Sequence, residues 1–188
     1  GLGVSGPQVV EGWYGQPFAK PLARTREYID IVRQVLARKH PVTGAGPHYT
    51  IPYPGEAPGS WGLGKPLKPI THPLRPDIPI YLGAEGPKNV AMAAEICDGW
   101  FPLYYSPDRE DVYAEAIANR PEYFEIMYPM KVQITDDLDA GRLEIKKDLA
   151  LYVGGMGARD RNFHNELVVR LGYGDAAAEI QDLYLDGK

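Results

Sequence analysis

The sequence predicts an α/β fold built on a parallel sheet, and three observations carry that reading. Short apolar runs alternate with stretches of helical periodicity, the pattern that places crossover helices between parallel strands. The apolar runs are continuous, as expected of strands buried on both faces. The run Ile78-Pro79-Ile80-Tyr81-Leu82 passes through the turn Gly83-Ala84-Glu85-Gly86-Pro87-Lys88 directly into a helical stretch, Asn89 to Cys97. Proline suits the first helical position, because its missing N–H would be unpaired there anyway. The free amides of that first turn, with the helix dipole behind them, form a natural phosphate site. Glycine lets backbone and ligand approach closely. The expectation is a soluble α/β protein that holds a phosphorylated cofactor.

The elements follow in order. Gly1 to Val4 reads as a short strand entering at the first residue, closed by a turn at Ser5-Gly6-Pro7. Thr25 is placed to cap a helix that runs to about Lys39, with Tyr28, Ile29, Val32, Val35 and Leu36 as its apolar stripe. Pro41 to Pro76 is a long stretch rich in glycine, proline and aromatics, and a loop of that length is usually functional or mobile. After the strand-turn-helix unit comes a second strand, Gly99 to Tyr104. Ser106 caps the next helix, which has Pro107 at its first position, acids at Asp108, Glu110 and Asp111, and an end near Asn119. A third strand, Met130 to Ile134, ends at Thr135-Asp136-Asp137, and either acid can cap a helix reaching Val153. Gly154-Gly155-Met156-Gly157 breaks that helix. Two more helical patterns follow, Asn162 to Leu171 and Ala176 to Leu185. With about four strands legible, a doubly wound sheet and a (β/α) barrel both fit, and a complete barrel typically needs about 250 residues.

Composition excludes several classes. The 188 residues suffice for one domain with a core, and 44% apolar with 24% charged residues is ordinary for a globular protein. A net charge of -5 argues against nucleic-acid binding, which needs clustered Lys and Arg. No window is long and apolar enough for a membrane span. Cys97 is alone, which rules out an internal disulfide and fits a reducing, cytoplasmic compartment. His40, His48, His72 and His164 are scattered without zinc-ligand spacing, so no metal is expected. Glu11 and Glu27 read as a loop acid and a helix-face acid rather than an acid/base pair.

Four blocks then look familiar together. They are Leu2 to Gly15; Ile51-Pro52-Tyr53-Pro54 with Gly62 to Lys68; Ile80 to Lys88 with Asp98-Gly99-Trp100; and Ala150 to Gly157 with Asn162-Phe163. In this order they resemble the luciferase-like monooxygenase superfamily, and most closely the actinobacterial oxidoreductases that use the deazaflavin coenzyme F-420. The resemblance implies a (β/α)8 TIM barrel, present here as an incomplete barrel of about strands four to seven. Residues 1–188 would form one partial domain, with a loop insertion at 41–76 and a helical insertion at about 150–188. The chain would then be a piece of a longer protein, and relatives usually carry a few more residues between Asn119 and Tyr123.

The resemblance also assigns roles. Backbone amides of Ala84, Glu85 and Gly86, between Gly83 and Pro87, would hold the cofactor phosphate. The plain alternative is a tight turn without a ligand. Glu85 is an awkward neighbour for an anion, so its side chain must point away, and Lys88 is placed to offset it. Val4, Ser5, Gly6 and Gln8 would lie beside the flavin-like ring, with Ser5 and Gln8 hydrogen-bonding its edge. Leu103 and Tyr104 would wall the same pocket, while Tyr105 reads as rim packing. Trp13, Tyr14 and Trp61 either line an apolar substrate pocket or anchor a surface. The implied activity is hydride transfer between F-420 and a small organic substrate, with a homodimer as the assembly. No catalytic acid or base is identified. The alternatives are a monooxygenase using FMN and a non-catalytic remnant or assembly module.

Overall fold

A computed structural model describes residues 1–188. The chain forms two compact units, Gly1–Gly15 with Ile80–Lys188, and Gln16–Pro79. In chain order the elements are β1 (Leu2–Gly3), α1 (Pro7–Gly12), α2 (Pro21–Ala37), β2 (Gly44–Ala45), β3 (Thr50–Ile51), β4 (Tyr81–Gly83), α3 (Pro87–Ile96), β5 (Gly99–Phe101), a 3-10 turn (Pro107–Val112), α4 (Ala114–Ile117), β6 (Glu125–Ile126), α5 (Leu138–Leu149), a π-helical segment (Ala150–Gly155), α6 (Phe163–Arg170) and α7 (Gly174–Leu185).

The larger unit is built on a four-stranded parallel sheet in the order β1-β4-β5-β6. Leu2 and Gly3 pair with Leu82 and Gly83, and Leu82 and Gly83 pair in turn with Trp100 and Phe101. The strands lie in the order in which the chain visits them. A doubly wound sheet reverses its order at a switch point, whereas an arc of a (β/α) barrel does not. The sheet is therefore a barrel arc, the second of the two architectures that fit the sequence. α3 packs back on β5 with Val90, Ala93, Ala94 and Cys97 buried, the i, i+3, i+4, i+7 face of a helix.

The second strand is shorter than expected: Gly99–Phe101 is paired, and Pro102 to Tyr104 continue as irregular chain. A larger correction concerns the third. Met130 to Ile134 is not a strand; β6 at Glu125–Ile126 takes the place beside β5, bonded through Glu125 N to Asp98 O and Met127 N to Trp100 O. Val132 and Ile134 stand 78% and 99% exposed, so the run is apolar without an edge to pair with. α1 was not foreseen either, because Pro7 follows Gly6 as a helix start rather than as part of a plain turn. The helix after Ser106 splits into the 3-10 turn and the four-residue α4, and the Ser106 side chain makes no capping bond. Asp137, by contrast, does cap α5, accepting from the amides of Asp139 and Ala140.

The segment Gly154 to Gly157 does more than break a helix. Its residues pack against α7, where a Cβ on Gly154 would lie 2.5 Å from Tyr184 Cβ and 3.1 Å from the Ile180 carbonyl. A Cβ on Gly157 would lie 2.6 Å from the Arg161 carbonyl. Asn162 closes this corner. It is buried, donates to the carbonyls of Tyr152 and Val153, and accepts from the amides of His164 and Asn165 as the N-cap of α6. Gly154→Val should push α7 away, because the obstructing atoms belong to backbone and to a Cβ. The expected cost is about 2 kcal/mol, read as a lower urea midpoint with an unchanged slope.

In the smaller unit α2 begins at Pro21, with Lys20 in the left-handed region as its N-cap. Thr25 therefore sits inside the helix, and Pro21 is the true start marker. The β2–β3 hairpin is tied to α2 by the Glu27 carboxylate, which accepts from the amides of His48 and Tyr49. That is a structural role for an acid expected on a helix face. Val42 bridges to Leu67, and Arg38 Nε donates to the Pro69 carbonyl.

Candidate functional site

Parallel pairing brings the carboxyl ends of β1, β4 and β5 to one edge of the sheet. Each strand exits there into a segment singled out from the sequence: Val4-Ser5-Gly6-Pro7-Gln8 after β1, Ala84-Glu85-Gly86-Pro87 after β4, and Leu103-Tyr104 beyond β5. Two of the exits are built alike. Gly3 and Gly83, paired in register, each open a glycine-x-x-glycine-proline turn. In both turns the second glycine is an extended N-cap and the proline is the first helical residue, in α1 and in α3. Neither cap uses a side chain. Ser5 holds φ 59°, in the left-handed region that costs about 1–2 kcal/mol for a residue with a Cβ. Such strain is typical of chain turned sharply at a functional edge.

The β4–α3 turn leaves donors open. Asn89 N and Val90 N bond the Gly86 carbonyl, while no bond in the structure takes the amides of Glu85, Gly86 or Lys88. A Cβ on Gly86 would meet nothing within 4 Å, so the space beside this residue is open. α3 spans ten residues and supplies its positive dipole end at the same place. Open amides at a helix start with open space beside Gly86 suit a phosphate ester.

The turn is held from behind. Trp100 Nε1 donates to the Ala84 carbonyl at 2.7 Å in a fully buried position. Its ring packs edge-on against Tyr113, with centroids 4.6 Å apart. Arg170, at the end of α6, donates from Nη2 to the Glu85 carbonyl at 3.0 Å. The Glu85 carboxylate meets His164 Nδ1 at 2.7 Å, close enough for an ion pair but out of line for a hydrogen bond. The side chains that meet Glu85 thus come from α6, while Lys88 is exposed. Glu85 Oε2, Asn89 Oδ1, His164 Nδ1, Arg170 Nε and the Tyr113 hydroxyl are buried without a hydrogen-bond partner.

Aromatic rings line the neighbouring exit. Tyr104 is half-buried and meets Tyr152 edge-on, and Tyr152 meets the His164 ring in the same way at 5.1 Å. Burial first, and then the nearby Tyr152 and Glu85, push the Tyr104 phenol up to about 12, so it stays a neutral donor. Tyr105 instead packs with Trp100, Tyr113 and Tyr128, and its hydroxyl meets Glu110, consistent with rim packing. Ser5 and Gln8 are exposed at the edge, and Leu103 is half-buried. Trp13, Tyr14 and Trp61 are exposed. No three His, Cys, Asp or Glu side chains gather at one point. The sequence reading missed Trp100, Arg170 and His164 as supports of the turn. Asn162 before an apolar-periodic run is a helix-start signal that places His164 in a first turn. Nothing local announces that Arg170 reaches Glu85.

The family model described as luciferase-like monooxygenase matches residues 1–188. The chain belongs to this family. It is 61% identical to a Mycobacterium tuberculosis protein named as a putative coenzyme F-420-dependent oxidoreductase, over 100% of this chain and 56% of that one. It is 29% identical to the 5,10-methylenetetrahydromethanopterin reductase of Archaeoglobus fulgidus, over 82% of this chain and 44% of the relative. The chain thus spans about half the length of these curated relatives. The solved coenzyme F-420-dependent tetrahydromethanopterin reductase of Methanopyrus kandleri superposes with a TM-score of 0.64 at 19% identity, covering 95% of this chain and 56% of that one. That likeness supports the barrel arc as the family's fold. No helix is long and apolar enough to cross a membrane.

Proposed function

We propose that this chain supplies the phosphate-binding part of an oxidoreductase that uses coenzyme F-420. The observation that carries the reading is the β4–α3 turn, where three unbonded amides and the open space beside Gly86 lie at the edge shared with the Ser5 bend and Tyr104. The names of the mycobacterial and archaeal relatives favour a deazaflavin over other phosphorylated groups. The residues present fit that group at its phosphate end: backbone donors, a helix dipole, and Arg170 as a fixed cation bonded to the turn.

Each residue then has a task. The amides of Glu85, Gly86 and Lys88 bind the phosphate, with Gly83, Ala84 and Pro87 shaping the turn. Ser5 and Gln8 hydrogen-bond the ring edge, while Val4 and Gly6 give it room. Leu103 and Tyr104 wall the pocket and exclude water, and the neutral Tyr104 hydroxyl donates a hydrogen bond. Bound F-420 carries the hydride exchanged with a small organic substrate, while the protein orients it.

A family named for monooxygenases keeps FMN as the second reading, because a flavin activates oxygen where a deazaflavin does so poorly. Calorimetric titration of the intact protein with each cofactor separates the two. One-to-one binding of F-420, at least about tenfold tighter than FMN, is the expected result. Tighter binding of FMN overturns the F-420 reading, and binding of neither leaves a non-catalytic assembly module.

A further inference from the structure

We propose that His164 is a positioning residue of the anion site: paired with Glu85, it holds the one acid of the turn on the α6 side, so that cofactor affinity depends on this pair. The proposal rests on the reading of the β4–α3 turn as a phosphate site. Glu85 contributes one of the open amides, yet its own carboxylate is an unfavourable neighbour for any anion bound there. That carboxylate is largely buried, with its side chain only 14% exposed, and His164 at 19% is the partner it meets, at 2.7 Å. Glu85 Oε2 and His164 Nδ1 are buried and make no hydrogen bond. Without the imidazole, the carboxylate is left largely buried and without its partner beside the phosphate.

The surrounding groups do not replace this pair. Arg170, from the far end of α6, bonds the Glu85 carbonyl rather than its carboxylate. Tyr104 beyond β5 and Tyr113 after the 3-10 turn feel Glu85, but burial pushes both phenols up to about 12 and keeps them neutral. Tyr152, in the π-helical segment, presents its ring to His164 at 79°. Lys88 in the first turn of α3 and Glu166 in the first turn of α6 are exposed to solvent.

Fluorescence titration with F-420 on the intact protein and on Glu85→Gln, His164→Gln and the double variant reads the pair directly. His164→Gln should bind about tenfold more weakly than the parent. Adding Glu85→Gln to it should restore the parental affinity or better, a rescue that a folding defect cannot produce. The proposal is overturned if His164→Gln matches the parent, or if the double variant binds as weakly as His164→Gln. Should the parent itself fail to bind F-420, the phosphate reading falls and this proposal with it; a parent that binds with indifferent variants removes this proposal alone.

Discussion

Gly86→Asp is expected to abolish measurable F-420 affinity while leaving the fold as stable as before or slightly more so. Gly86 is the N-cap of α3, with φ -71° and ψ 143°, an extended conformation open to any residue. A Cβ there meets nothing within 4 Å, so the substitution brings no clash. Aspartate is among the best N-cap residues, and its carboxylate can accept from the amides of Lys88 or Asn89, a gain of a few tenths of a kcal/mol over glycine. The open Lys88 amide serves the proposed phosphate, so the new carboxylate occupies the anion's place with the same sign of charge. Two like charges about 4 Å apart repel by about 4 kcal/mol near a protein surface, which predicts at least a 100-fold loss of affinity. Calorimetry and a thermal melt on one preparation check both halves. A protein that melts at or above the parental temperature and no longer binds F-420 is the expected outcome. Parental affinity in this variant contradicts the phosphate assignment.

The second large effect lies behind the turn. Trp100→Ala should cost about 3–5 kcal/mol from the cavity, since the indole is fully buried against Tyr113. It also strips the Ala84 carbonyl of its buried donor, which adds about 1–3 kcal/mol. Against a total stability of about 5–15 kcal/mol, a substantial unfolded population is expected. Trp100→Phe isolates the hydrogen bond: it keeps most of the packing and leaves the carbonyl unpaired, for an expected loss of about 1–3 kcal/mol in urea unfolding. A phenylalanine variant within about 0.5 kcal/mol of the parent would show that the indole N–H does not hold the turn.

What the sequence made legible is what local chemistry decides. Pro87 after Gly86 marked the start of α3, and the acids Asp136 and Asp137 marked the start of α5, which Asp137 caps. The β4–α3 turn and the Ser5 bend were both visible as glycine-flanked strand exits. Pairing decided the rest. Val132 and Ile134 have the side chains of a strand, yet the slot beside β5 is filled by Glu125–Ile126. α1 was obscured because Gly6-Pro7 can end a strand or start a helix. The supports of the site were hidden for the same reason. Arg170 meets Glu85 across a sequence separation of 85, and His164 depends on how the corner around Asn162 folds back. Glycines 154, 155 and 157 looked like helix breakers, and only the approach of Tyr184 and Asn162 reveals them as packing positions.

The most direct test follows the backbone itself. In nitrogen-15 spectra of the protein titrated with F-420, the amides of Glu85, Gly86 and Lys88 should show the largest saturable shifts, moving together with one affinity. Saturable binding that leaves these three unmoved would place the phosphate elsewhere and contradict the account.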